Sequence, residues 1–339
     1  MASVRFLLLG TGFFARKWLE TLKAHPDCAL AGVISRTPER AAATCAELGL
    51  PAPAFATLEQ ARARVTADAA LVTLPQALHR EAIAGALACG LHVLTEKPLA
   101  MDMAEAAAIL EAARARADRC VMVNQNFRWR PTAQALRRAL LDGAIGPPQT
   151  ILHECAMDNR RVTVGGWREA LPDPYLQDMA IHHFDLLRYL TGREAVEVFV
   201  RAFRPSWTWF AGRPAAAGFL QFGDVAVSYS GTFAARGRET LPEGAIALTG
   251  EGGTLRLDER GEVSLHRDGR LTALPRPALA REDLAATLDQ FVIALRSGAR
   301  PETSLEDNLK SFAIVCAALE SSQSGRPVAV SPLLASLSL

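Results

Sequence analysis

The first residues with chemistry in their spacing are Gly10-Thr11-Gly12-Phe13-Phe14-Ala15, which follow a strand candidate over 4–9 and open a helical pattern. The first glycine permits a tight turn, and the second lets a pyrophosphate approach the backbone. The small Ala15 lets helix and strand pack closely. N–H groups at the helix start then face the phosphates. An ordinary βα turn is the bland alternative. The place of the segment, at residue 10 of an alternating chain, favours a dinucleotide, with Thr11, Phe13 and Phe14 lining the loop. The second strand ends Val33-Ile34-Ser35-Arg36-Thr37, with no acid at its tip to hold ribose hydroxyls. Ser35 can hydrogen-bond a 2′-phosphate, and Arg36 can pair with it and lie over the adenine. This favours NADP(H). NAD(H), held through backbone contacts with Arg36 merely at the surface, is the alternative. Further on, Asp178, His182 and Asp185 are spaced to share one helix face. Such a set can bind a hydroxyl and move a proton, or can be a plain ion-paired face.

These groups need a frame. Up to residue 125, continuously apolar strands at 4–9, 29–34, 69–73, 91–95 and 120–124 alternate with Ala-rich helical stretches. That pattern implies a parallel sheet covered on both faces. Lys97 stands just past the fourth of these strands, at the carboxyl edge where open α/β sheets bind ligands. After a helix at 131–141, strand-like stretches follow at 149–155, 196–203, 218–222, 225–232, 244–248 and 254–257. Most alternate in polarity and are separated by Gly, Pro or Asp turns, as in an open antiparallel sheet. Helices fall near 175–190, 282–297 and 305–322. The expected fold is α/β. An N-terminal Rossmann doubly wound parallel sheet occupies 1–125, and a C-terminal α+β domain with a large, mostly antiparallel open sheet occupies 126–339.

Two further segments carry a resemblance: Leu94-Thr95-Glu96-Lys97-Pro98-Leu99, and Asp178-Met179-Ala180-Ile181-His182-His183-Phe184-Asp185. With the glycine loop, they make the chain similar to the glucose–fructose oxidoreductase / inositol dehydrogenase (Gfo/Idh/MocA) family, and the resemblance covers nearly the whole chain. Leu74-Pro75 with His79, Asn124-Gln125-Asn126-Phe127-Arg128 with Pro131, and Pro301 to Asp307 with Gly325-Arg326-Pro327-Val328 extend it. The resemblance implies reversible hydride transfer between a nicotinamide cofactor and a secondary alcohol or ketone of a sugar, cyclitol or related small molecule. It implies that Lys97 reaches both the nicotinamide region and the substrate oxygen, that His182 carries the proton and that Asp178 binds a hydroxyl or tunes the pair. Leu74, Pro75, His79 and Glu96 join the cofactor set, although His79 could instead begin a helix. Arg128, Asn159, Trp167, Arg168 and Tyr175 become candidates for the substrate pocket. Asp185 either orients His182 or caps local structure. A homodimer or homotetramer through the C-terminal sheet is the implied assembly.

The chain departs from that pattern around its aspartate. Glycines found there in many members are replaced in Pro172-Asp173-Pro174-Tyr175-Leu176-Gln177-Asp178, so substrate identity does not carry across. Two rival functions remain: a redox-neutral enzyme that oxidises a sugar transiently with a retained cofactor, and a non-enzymatic dinucleotide sensor. Composition narrows the rest. The chain has 339 residues, half of them hydrophobic, with 37 basic and 36 acidic side chains. It can bury a substantial core, and no global field drives nucleic-acid or membrane binding. The basic, aromatic-interleaved Phe127-Arg128-Trp129-Arg130 therefore reads as pocket or domain junction. No apolar run is long enough to span a membrane. His182 and His183 are adjacent rather than one helical turn apart, and none of the six cysteines forms a C-x-x-C pair, so no metal site is expected. Reduced cysteines and the lack of a signal peptide point to the cytoplasm.

Overall fold

A computed structural model describes residues 2–160 and 166–338, without the side chain of Trp167. The chain divides into two compact units, one of residues 1–126 with 281–309, the other of residues 127–280 with 310–339.

In the first unit, β1 (Val4–Leu9), β2 (Cys28–Ile34), β3 (Ala54–Phe55), β4 (Ala69–Val72), β5 (His92–Thr95) and β6 (Val121–Val123) form a wholly parallel sheet. Its order is β3-β2-β1-β4-β5-β6, which reverses direction between β1 and β4. Helices α1 (Phe13–Ala24), α2 (Pro38–Glu47), α3 (Leu58–Arg62), α4 (His79–Ala88) and α5 (Met103–Arg114) make the crossovers. Registers pair Phe55 with Ile34, Ile34 with Leu9, Leu9 with Val72, Val72 with Thr95 and Thr95 with Val123. All six strands thus end in one row. The residues that follow, Gly10, Ser35, Thr73 and Glu96, stand side by side along the carboxyl edge. Strand spacing puts the Glu96-Lys97 segment about 10 Å from the glycine loop.

The sequence expectation places residues 126–339 together in one C-terminal domain, whereas the structure divides that stretch. Residues 281–309 belong to the first unit. Their helix (Asp283–Ser297) buries Leu288, Phe291 and Val292 in the cluster built by Val4, Phe6, Leu8 and Trp18. The Phe291 and Phe6 rings lie 6.0 Å apart. An apolar stripe at helical spacing goes to whichever apolar sheet face is open to it, and chain order does not decide which.

The second unit begins with α6 (Pro131–Leu141) and carries a nine-stranded sheet of order β14-β13-β12-β11-β7-β10-β9-β8-β15. Its strands are β7 (Thr150–Ala156), β8 (Ala195–Phe203), β9 (Ala215–Phe222), β10 (Val225–Thr232), β11 (Ala245–Gly250), β12 (Gly253–Leu257), β13 (Val263–Arg267), β14 (Arg270–Leu274) and β15 (Val328–Ala329). Every pairing is antiparallel except β7 with β10. Along β7, Ile151, His153 and Cys155 are buried while Leu152 is 62% exposed, which is the alternation of a sheet covered on one face. Helix α7 (Ala180–Thr191) packs within this unit and carries the candidate histidines.

Candidate active site

The glycine loop is shaped by contacts that only glycine allows. Gly10 has φ +102°, and a Cβ there would lie 3.1 Å from the backbone of Thr73 and Leu74. The loop therefore presses on the end of β4, bringing Leu74 and Pro75 beside it. Gly12 caps α1 with no side-chain bond, and a Cβ on it would meet nothing within 4 Å. Open space at an uncapped helix start is what a pyrophosphate needs, so the residues fit a dinucleotide. The Thr11 and Ser35 hydroxyls are 3.1 Å apart, and Ser35 Oγ accepts from the Thr37 N–H at 3.2 Å. Arg36 is exposed at the tip of β2. Phe13 is 64% exposed and meets Phe14 edge-on, with Lys17 Nζ 5.3 Å from each ring centre.

His79 begins α4 and is buried, with Nε2 2.9 Å from the Leu74 carbonyl and Nδ1 3.3 Å from the Leu99 carbonyl. Burial pushes its pKa down against those carbonyls. The ring thus ties the segment after β5 to the segment after β4 within the first unit. Glu96 is also buried. It accepts from Trp18 Nε1 at 2.6 Å, Asn124 Nδ2 at 2.9 Å and the Lys97 backbone N–H at 3.2 Å. Burial raises its pKa, and the Trp18, Lys97 and Asn124 interactions oppose that shift. Lys97 is half-buried, and its peptide bond to Pro98 is cis.

In the second unit the predicted helix near 175–190 is not uniform. The Ala180 N–H bonds the Tyr175 carbonyl, five residues back, so Tyr175–Met179 is a widened turn feeding α7. Such π-turns are frequent at functional sites. Asp178 lies in that turn and accepts from Arg168 Nε at 2.6 Å. The two substrate candidates are thus brought together, although Asp178 and His182 are not related by plain α-helical spacing. The Phe127 and His182 rings are stacked, 4.1 Å apart and within 8° of parallel.

Two of the substrate-pocket candidates, Tyr175 and Arg128, are buried against partners within the second unit. Tyr175 is fully buried, its hydroxyl 3.2 Å from His183 Nδ1 and 3.4 Å from the Tyr229 hydroxyl. It fills the space a side chain at Gly231 would occupy, since a Cβ there would fall 1.8 Å from the Tyr175 hydroxyl. Gln177 Oε1 turns back to accept from the Asp173 N–H. Arg128 is buried and donates from Nε and Nη2 to Asp185, each at 2.7 Å, and Asp185 also accepts from Ser311 at 2.8 Å. Asp185 is therefore a buried anchor whose carboxylate serves Arg128 and Ser311, with Arg188 Nη1 3.8 Å away. Asn159 follows β7, half-buried, its N–H on the Phe233 carbonyl. Trp167 starts a short turn beside Arg168, and its side chain lies outside the described residues. Among the described residues no three His, Cys, Asp or Glu side chains group to hold a metal ion. No described helix is long and apolar enough to cross a membrane.

Comparison with known proteins decides the kinship. Residues 4–125 match the model of an oxidoreductase family with an NAD-binding Rossmann fold, and residues 133–256 match the Gfo/Idh/MocA C-terminal domain. A D-apiose dehydrogenase of Paraburkholderia graminis is 30% identical over 347 residues, covering 96% of this chain and 89% of that one. The chain belongs to the Gfo/Idh/MocA oxidoreductase family. An inositol 2-dehydrogenase of Pseudomonas fluorescens is 29% identical over 346 residues, with 97% of each chain covered. The fold is shared with an oxidoreductase of Agrobacterium radiobacter solved with NAD+, L-tartaric acid and magnesium. Its TM-score is 0.88 at 24% identity, over 98% of this chain and 100% of that one. This Gfo/Idh/MocA chain is thus an NAD(P)-dependent oxidoreductase.

Proposed function

We propose that this Gfo/Idh/MocA enzyme interconverts a secondary alcohol and a ketone on a sugar-like or cyclitol-like molecule, with NADP(H) preferred over NAD(H). The observation that carries the cofactor preference is the tip of β2. It presents Ser35 and Arg36 and no carboxylate, and the Ser35 hydroxyl is 3.1 Å from Thr11 of the glycine loop. A 2′-phosphate there meets a hydroxyl and a guanidinium, whereas a carboxylate would repel it. The D-apiose and inositol dehydrogenases among its relatives support a polyhydroxylated substrate.

The bound nicotinamide supplies the two-electron chemistry. The chain's own residues place the substrate and handle the proton. In the oxidative direction His182 takes the hydroxyl proton, and the Lys97 ammonium stabilises the alkoxide that develops. Asp178, held by Arg168, accepts from a neighbouring substrate hydroxyl. In the reductive direction the proton returns to the oxygen by the same route. Copies of the chain associate through the exposed face of the second-unit sheet, which carries Leu152 and Phe219.

The test is a calorimetric titration of cofactor-stripped protein with NADPH and with NADH, run on wild type and Arg36→Ala. Tighter NADPH binding that weakens in Arg36→Ala by roughly tenfold or more is the expected result. NADH binding equally or more tightly overturns the preference.

A further inference from the structure

One contact of His182 is not used by the proton chemistry. Phe127 lies flat against its imidazole, with ring centres 4.1 Å apart and planes within 8°. Both side chains are buried. The Arg130 guanidinium carbon sits 3.8 Å from the same Phe127 ring centre. Two groups that close to one ring centre cannot share a face, so Phe127 is sandwiched between His182 and Arg130. Arg130 is itself paired with Glu243.

The same short turn makes a second attachment. Phe127 and Arg128 are consecutive in the turn Asn126–Trp129. Arg128 grips Asp185 through two bonds of 2.7 Å. His182 and Asp185 are three apart on α7, hence on one face. Phe127 and Arg128 therefore engage successive turns of one helix, and the buried ion pair fixes the height at which the Phe127 ring meets His182.

The geometry points to Phe127 as the positioning residue of His182, an inference that rests on reading His182 as the proton carrier. A helix fixes a histidine's Cβ but not its ring plane, because the torsion that turns the ring is broad and two-fold. Proton transfer needs the ring nitrogen held to within roughly half an ångström and 10–20°. A flat aromatic face on one side of the imidazole removes that swing. Arg130 on the far side, by cation–π attraction, keeps the Phe127 ring from following it. Phe127 touches the histidine and acts through it.

Phe127→Leu keeps an apolar side chain and removes the flat face, and Phe127→Tyr restores the face. In Phe127→Leu, kcat is expected to fall on the order of tenfold or more, as for other small misplacements of a reacting group. KM for the alcohol and the affinity for NADPH should move less than about twofold. Phe127→Tyr should recover most of the kcat. Proton NMR supplies a readout independent of turnover. The His182 ring protons, assigned by their loss in His182→Asn, should be shifted upfield by the Phe127 ring current in wild type and Phe127→Tyr, and not in Phe127→Leu. Wild-type kcat in Phe127→Leu overturns the proposal. So does a parallel loss of kcat, substrate affinity and nucleotide affinity that Phe127→Tyr does not rescue, and so does absence of the upfield shift in wild type. Full turnover by His182→Asn would instead defeat the proton-carrier reading and leave the NMR result for the stack standing.

Discussion

Glu96 accepts three hydrogen bonds, and one comes from the backbone N–H of Lys97. The residue before the lysine therefore stiffens the strand end that presents it, and the remaining lone pairs tie that end to Trp18 of α1 and Asn124 after β6. A glutamate this buried holds its place only if its oxygens are satisfied, as these are. Replacing Lys97 by Met removes the ammonium and keeps the aliphatic stem. Turnover should drop by on the order of a hundredfold or more, the usual effect of losing a group that stabilises developing charge. Nucleotide affinity should stay within severalfold. Unchanged turnover in Lys97→Met, measured at saturating substrate, would remove the lysine from the mechanism. Of the site's contacts, the glycine loop was legible because its chemistry is local. The Arg168–Asp178 pair and the Phe127–His182 stack were not, since their partners lie 10 and 55 positions apart on separate turns. The trace of the stack in the sequence is the aromatic and basic run at 127–130, which reads there as pocket or domain junction and names no partner for Phe127.

At the scale of elements, the segment before β11 is tied down by three others. His183 of α7 approaches the Pro242 carbonyl with Nε2 at 2.8 Å, and His153 of β7 approaches the Glu243 carbonyl at 3.0 Å. The Glu243 side chain accepts from Arg130 and from Thr132 at the start of α6. Burial pushes His153 down to about 4 from 6.5 and the Cys155 thiol up to about 11, so both stay neutral near pH 7. Because the folded pKa of His153 lies below the unfolded one, its contribution to stability is intact above pH 6.5 and is lost as pH falls towards 4. At 1.36 kcal/mol per unit the loss is about 3 kcal/mol. Denaturant midpoints measured from pH 7 to 4 should fall more steeply for wild type than for His153→Phe. Parallel slopes would show that the ring does not titrate differently on folding. The hairpin of β13 and β14, which the sequence expectation does not include, carries a clear local signal. Asp268-Gly269 separates β13 from β14, and both residues have positive φ, 50° and 73°. That is the two-residue hairpin turn that Asp-Gly favours.

Considered as a whole molecule, the chain leaves one row of the second sheet uncovered. Registers align Ala247, Leu152, Ser228, Phe219 and Phe199 across β11, β7, β10, β9 and β8. Leu152 is 62% and Phe219 65% exposed. Grouped apolar exposure of this kind marks an interaction surface, and the proposed occupant is a second copy of the chain. Phe219→Glu should lower the mass measured by light scattering towards that of one chain, with thermal stability of the dispersed protein otherwise close to wild type. An unchanged mass at micromolar concentration would place the contact elsewhere.

The alternation of apolar strands and helices, the glycines at 10 and 12 and the acid-free tip of β2 are properties of neighbours in sequence. Backbone sterics and periodicity therefore settle them before any folding is considered. Tertiary structure alone decided what depends on contacts across long stretches of chain. It returned the helix Asp283–Ser297 to the first sheet, because Phe6 and its neighbours offered an apolar face. It sent Tyr175 into the core, where Gly231 leaves room for the ring. It paired Arg128 with Asp185, since a charge buried that deeply needs an opposite one. Through that pair it laid Phe127 against His182.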